Sequence, residues 1–215
     1  MLCSPSGMMR SQFSRSGFSM SIAVRRYTLV TPGYAASSAA PSNSWVLDVT
    51  SGTFTQISDT PHEGVDLATL VRPELRTYTA HDGLELSGWL YRAPGVEGPG
   101  PMVLSFHGGP EGQARPSFSS TTQMWVQKLG AAVIEPNVRG SDGYGKHYMS
   151  LDNGYKREDS VKDIGALLDW IATQPDLDEN RVAVFGGSYG GYMVLASAVH
   201  YSDRLKAAVD IVGIS

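Results

Sequence analysis

The chain of 215 residues has one cysteine, Cys3, so no disulfide can form within it and its redox compartment stays open. Histidine is scarce and scattered, with five in all, and neither HExxH nor CxxC occurs. No metal site is suggested. No Walker-type glycine loop is present to cradle a nucleotide phosphate, and no other cofactor is implied. No apolar run approaches the roughly 20 residues needed to span a bilayer, which argues against a membrane role. Basic residues do not outnumber acidic ones, and the net charge of −4 argues against a nucleic-acid partner. Internal repeats are absent as well.

What is present is the composition of a globular protein: 41% hydrophobic residues, 18% charged, and 24 glycines that imply tight turns or close backbone approaches. Residues 1–44 differ from the rest. They are Ser-rich, carry Arg10, Arg15, Arg25 and Arg26, and contain no Asp or Glu. The expectation is a disordered or mis-assigned start, in a cytoplasmic protein, although the same composition suits a targeting segment. Residues 45–74 read as a β-hairpin and linker. Trp45–Val49 and Thr53–Ile57 flank the turn Ser51-Gly52.

From residue 75 to 215 the pattern becomes regular. Two strands, 76–79 and 84–91, flank Asp82-Gly83. Short apolar runs at 102–106, 131–136, 181–185 and 205–212 read as buried strands. Helices are predicted over 119–129, 157–173 and 189–200. In the second of these, Val161, Ile164, Leu167, Leu168 and Ile171 share one face. Alternating strands and helices predict an α/β fold: a doubly wound, mostly parallel sheet with helices on both faces.

The chemistry centres on VAVFGGSYGGYMVLASA, residues 182–198. Gly186-x-Ser188-x-Gly190 has the form of a nucleophile elbow, in which a strand turns sharply into a helix and exposes a serine at the corner. The bare pattern is common in a chain rich in Gly and Ser, and its weight comes from lying between an apolar strand and a helix. The helix N-terminus supplies free N–H groups and a positive dipole end. An acyl-transfer site needs two donors aimed at the oxyanion. The backbone N–H of Tyr189 is one candidate. The loop His107-Gly108-Gly109-Pro110, after an earlier strand, offers the N–H of Gly109 as the second. His107 is expected to brace that loop.

Taken together, HGGP at 107–110, NVRGSDGYG at 137–145 and GGSYGGYM at 186–193 resemble the prolyl oligopeptidase family of serine peptidases, nearest its acylaminoacyl-peptidase and dipeptidyl-peptidase members. The resemblance covers residues 76–215. It implies an α/β-hydrolase domain preceded by a β-propeller, of which the hairpin at 45–58 would be a remnant. It also implies a peptide substrate and Ser188 as nucleophile. Tyr144 matches a family tyrosine whose hydroxyl helps to hold the oxyanion, a task that Gly109 performs in the HGGP subgroup. Arg139 is expected to pin its loop.

A serine hydroxyl needs a base. In this fold the chain order is Ser, then Asp or Glu, then His. After Ser188 come His200, Asp203 and Asp210. His200 is expected about three turns along the helix from Ser188, out of reach, and no histidine follows Asp210. The expectation is therefore a serine peptidase lineage in a truncated, inactive chain. The alternatives are an esterase or lipase of the same fold, or a non-catalytic fragment.

Overall fold

The computed structural model describes residues 23–25, 28–32, 39–41, 43–96 and 98–214. They divide into two units, residues 1–70 with 116–119, and residues 71–115 with 120–215.

The first unit holds a four-stranded antiparallel sheet in the order β1-β2-β3-β4. Its strands are β1 (Ala23–Arg25), β2 (Thr28–Pro32), β3 (Ser44–Asp48) and β4 (Phe54–Gln56). β3 and β4 form the hairpin anticipated from Trp45 and Phe54. The Asp48 carboxylate caps the turn by accepting from Thr50 N and Ser51 N at 2.8 and 3.1 Å, and Gly52 turns it at φ 72°. The hairpin is thus half of a larger sheet. β1 and β2 fall inside the segment that composition marks as unstructured. The cause is local: the Ser- and Arg-rich surroundings hide the strand-forming residues Thr28-Leu29-Val30-Thr31.

The second unit is built on a six-stranded sheet in the order β10-β9-β7-β8-β6-β5. Its elements are β5 (Glu74–Thr79), β6 (Glu85–Tyr91), β7 (Gly100–Phe106), α1 (Ser120–Leu129), β8 (Ala132–Asn137), a short α2 (Lys146–Met149), α3 (Arg157–Ala172), β9 (Leu177–Gly187), α4 (Tyr189–His200) and β10 (Leu205–Ile211). β7, β8, β9 and β10 run parallel, and β6 joins them antiparallel. The central sheet is that of an α/β-hydrolase, with the small antiparallel sheet preceding it in the chain.

The chain leaves β7 for β8 on one side, then crosses back over β7 to β9 on the other. That reversal opens a crevice at the carboxyl ends of β7 and β9, the usual ligand position in such sheets. Two cores hold the sheet. On one face Met102, Leu104 and Phe106 of β7 meet Ile164, Leu167, Leu168 and Ile171 of α3 and Met193 and Val194 of α4. On the other, Val133 and Tyr91 meet Val126 of α1 and Val71. Val71 is fastened further by Gln123, whose amide exchanges hydrogen bonds of 2.9 and 2.7 Å with its backbone. Val71 is the first residue of this unit.

The helical face predicted for α3 is the buried one, with Ile164, Leu167 and Ile171 fully enclosed. One expectation is corrected. The apolar run at 205–212 predicts a buried strand, yet β10 is exposed along nearly its whole length, Asp210 included. Its apolar content suits burial, but among the described residues it has a sheet partner on one side only, namely β9.

Candidate active site

Ser188 lies where β9 ends and α4 begins, exposed, at φ 56° and ψ −120°. A non-glycine residue at positive φ is strained, and the surrounding structure must hold it there. Backbone bonds do so: Ser188 N donates to Ile211 O at 3.0 Å, and Ser188 O accepts from Tyr192 N at 3.1 Å. The flanking glycines are sterically required. A side-chain carbon on Gly190 would collide with the Phe106 carbonyl and lie 3.0 Å from that of His107. One on Gly186 would collide with Gly190 itself. The corner can therefore form only if the start of α4 presses against the end of β7.

That close approach brings the HGGP loop to the serine. A carbon built on Gly108 would sit 3.8 Å from Ser188 Cβ. Gly108 and Gly109 are both exposed beside it, and Gly109 adopts φ 138°. At the first turn of α4 the N–H groups have no carbonyl partner within the helix.

His107 braces the loop, as its sequence position suggests. Its Nδ1 lies 2.8 Å from Gly108 O and its Nε2 lies 2.9 Å from Ser141 Oγ. A carbonyl only accepts, so Nδ1 carries the proton in its pairing with Gly108 O. The Ser141 hydroxyl is also 2.7 Å from Val138 O. Burial pulls the His107 imidazole below its ordinary pKa, against the opposing hydrogen bond to Gly108. With both nitrogens engaged away from Ser188, His107 is not disposed to act as its base.

The Asn137–Gly145 loop is tied at several points. Asn137 accepts from Ala114 N at 2.8 Å, and its amide donates to Ala114 O at 3.0 Å and to the Tyr144 hydroxyl at 2.9 Å. The Tyr144 hydroxyl also pairs with Ser87 Oγ at 2.7 Å. Tyr144 is thus held by the loop and by β6 while its ring stays partly exposed. Asp142 N donates to Gly112 O at 2.9 Å, joining this loop to the one after β7. Arg139 is almost fully buried between two carboxylates. It reaches Asp163 at 2.7 to 3.1 Å and Asp82 at 2.8 and 2.9 Å. Hydrogen bonds from the guanidinium hold the Asp82 carboxyl well below its usual range. Arg139 accordingly fastens the loop to α3 and to the β5–β6 turn.

Sequence reasoning singled out Ser188, Tyr189, Gly109, Tyr144, His107 and Arg139. It missed Asn137, Ser141, Asp82 and Asp163. Asn137 and Ser141 belong to the NVRGSDGYG run, so their place in that motif was an available signal. Asp82 and Asp163 had none, because their role depends on pairing across the fold. His200 ends α4, at the far end of the helix that Ser188 opens. Among the described residues, no histidine lies within hydrogen-bond distance of the Ser188 hydroxyl. No group of metal-ligating side chains occurs among them either. No helix among them is long and apolar enough to cross a membrane.

Residues 116–215, which include this corner and the NVRGSDGYG loop, match the sequence profile of the Prolyl oligopeptidase family. That match covers just under half of the chain. Over 146 residues it is 37% identical to the uncharacterised peptidase YuxL of Bacillus subtilis (strain 168), covering 66% of this chain and 22% of that protein. It is 35% identical over 118 residues to dipeptidyl aminopeptidase BIII of Pseudoxanthomonas mexicana, covering 55% of this chain and 17% of the relative. Among solved structures, a puromycin-hydrolysing peptidase of Mycobacterium tuberculosis superposes with a TM-score of 0.75 at 27% identity, over 88% of this chain and 30% of its own. The chain therefore spans less than a third of the length of these relatives and neighbours.

Proposed function

We propose that Ser188 is the nucleophile of a serine peptidase that cleaves peptides through an acyl-enzyme. The supporting observation is the corner itself: an exposed serine in strained backbone at a strand–helix junction, with the Gly108-Gly109 loop beside it. In this reading the serine oxygen attacks the scissile carbonyl. The resulting oxyanion is held by the backbone N–H groups of Tyr189 and Gly109, where donors fixed in advance are worth most. Tyr144 borders the site as a further donor only if Ser87 supplies the proton of their shared hydrogen bond, which leaves the phenolic proton free. A base must accept the Ser188 proton and return it to the leaving amine. In this fold the base is a histidine that follows the nucleophile in the chain. Peptide substrates are consistent with the peptidase names of the relatives.

The test is a fluorophosphonate probe applied to the gene product as it occurs in its host, with any residues that flank 1–215. Labelling that disappears in Ser188→Ala supports the reading, and labelling that persists in that variant overturns it. Residues 1–215 expressed by themselves are expected to stay unlabelled, because His200 is held at the far end of α4. Cleavage of aryl esters without cleavage of peptide amides would move the assignment to an esterase.

A further inference from the structure

Directly behind the elbow lies a buried polar cluster that the proposed chemistry does not use. Asp152, fully buried, is at its centre. Its Oδ2 lies 3.3 Å from the Tyr189 hydroxyl and 3.2 Å from Arg157 Nε. The Tyr189 hydroxyl is also 3.1 Å from Ser160 Oγ, whose proton goes to Arg157 O at 2.6 Å. Tyr189 is therefore the donor, shared between Asp152 and Ser160. The Arg157 guanidinium covers the Tyr189 ring at 5.0 Å from its centre. The other carboxylate oxygen, Oδ1, is buried without a hydrogen-bond partner among the described residues. It faces Gly140, which adopts φ 94°, and any side-chain carbon there would overlap the Asp152 carboxylate.

One carboxylate thus touches two segments. Through Oδ2 it holds the side chain of Tyr189, whose N–H is one proposed oxyanion donor. Through Oδ1 it backs Gly140, next to Ser141. Ser141 holds His107 Nε2, and His107 opens the loop that carries Gly109, the other proposed donor. A buried carboxylate with an unpaired oxygen is unfavourable for folding alone, so its retention at this junction calls for another reason.

We propose that Asp152 is a positioning residue that sets the spacing between the two oxyanion donors, Tyr189 N–H and Gly109 N–H, by bridging the Tyr189 side chain to the Gly140 backbone. This rests on the serine-nucleophile reading for its catalytic consequence, but the bridge itself does not. A substrate binds outside the cluster, so a loosened bridge impairs the chemical step more than binding.

The experiment compares Asp152→Ala, Asp152→Asn and Tyr189→Phe with the wild type in the native gene product. Steady-state kinetics on a peptide amide and amide hydrogen exchange of residues 137–145 and 186–192 are the two readouts. Asp152→Ala should raise exchange in both segments. It should also lower kcat at least about tenfold, with KM within about twofold. Asp152→Asn keeps an oxygen for the Tyr189 hydroxyl and should recover most of both. Tyr189→Phe, which retains the backbone donor, should reproduce the kcat loss, and it carries the test if Asp152→Ala does not fold. Wild-type exchange in either segment of a folded Asp152→Ala overturns the proposal. So does a variant that loses thermal stability while kcat stays at the wild-type value. If Ser188 is not labelled in the wild type, the nucleophile reading fails by itself, and the exchange data alone decide whether the bridge exists.

Discussion

Glu135 is a carboxyl placed in β8 opposite Trp89, with the Thr122 hydroxyl donating to it at 3.3 Å. No cation forms an ion pair with it among the described residues. Burial raises its pKa from 4.5 to about 7. The folded chain therefore keeps this proton at pH values where the unfolded chain has lost it. Stability should fall as pH rises from about 4.5 to about 7 and stay lowered above that. Glu135→Gln removes the liability, so above pH 7 the variant should exceed the wild type by on the order of 2–3 kcal/mol in urea unfolding, a difference that vanishes below about pH 4. At Gly190 the expected direction is opposite. Gly190→Ala forces a methyl group into the Phe106 carbonyl, so the elbow must shift. A loss of about 3 kcal/mol in the same assay is expected, together with loss of probe labelling.

Each element at the site is held by something distant in the chain. The loop after β8 stays in place because Arg139 spans Asp163 on α3 and Asp82 in the turn between β5 and β6. Asp163 is fully buried, and without its guanidinium it would be an uncompensated charge. Arg139→Met should therefore destabilise the fold by about 3–5 kcal/mol in denaturant melts. Arg139→Lys should recover only part of this, since one ammonium cannot bond two carboxylates in a fork. The course of α3 was legible in sequence because Val161, Ile164, Leu167, Leu168 and Ile171 recur at helical spacing. β9 was less so. It begins at Leu177, four residues before the expected start at Arg181, because Asp178, Glu179 and Asn180 look like a loop. They extend the strand as polar residues left largely in solvent.

At the scale of the whole molecule, the sheet of the second unit has a well-covered centre and an uncovered margin. β10 presents exposed Val209 and Ile211, and Val212 follows at 82% exposure. Leu195 and Val199 of α4 add exposed apolar surface nearby. An edge strand of this kind offers unpaired backbone groups and apolar side chains to another chain. Residues 1–215 expressed alone should self-associate through this edge. Val209→Lys should shift the population toward monomer in analytical ultracentrifugation. An unchanged distribution would place the association elsewhere.

The sequence alone determined the alternation of strands and helices, and with it the α/β sheet. Strand and helix periodicities are properties of neighbouring residues, so they survive without knowledge of the fold. It likewise marked Ser188 as a corner residue, because only a chain with glycines at 186 and 190 can make that turn. The tertiary structure decided what those residues touch. It brought Gly108 against Ser188, Arg139 between Asp82 and Asp163, and Asp152 between Tyr189 and Gly140. Each of these contacts joins segments separated by many residues in the chain. Their partners follow from the order of the strands in the sheet, which no local pattern encodes.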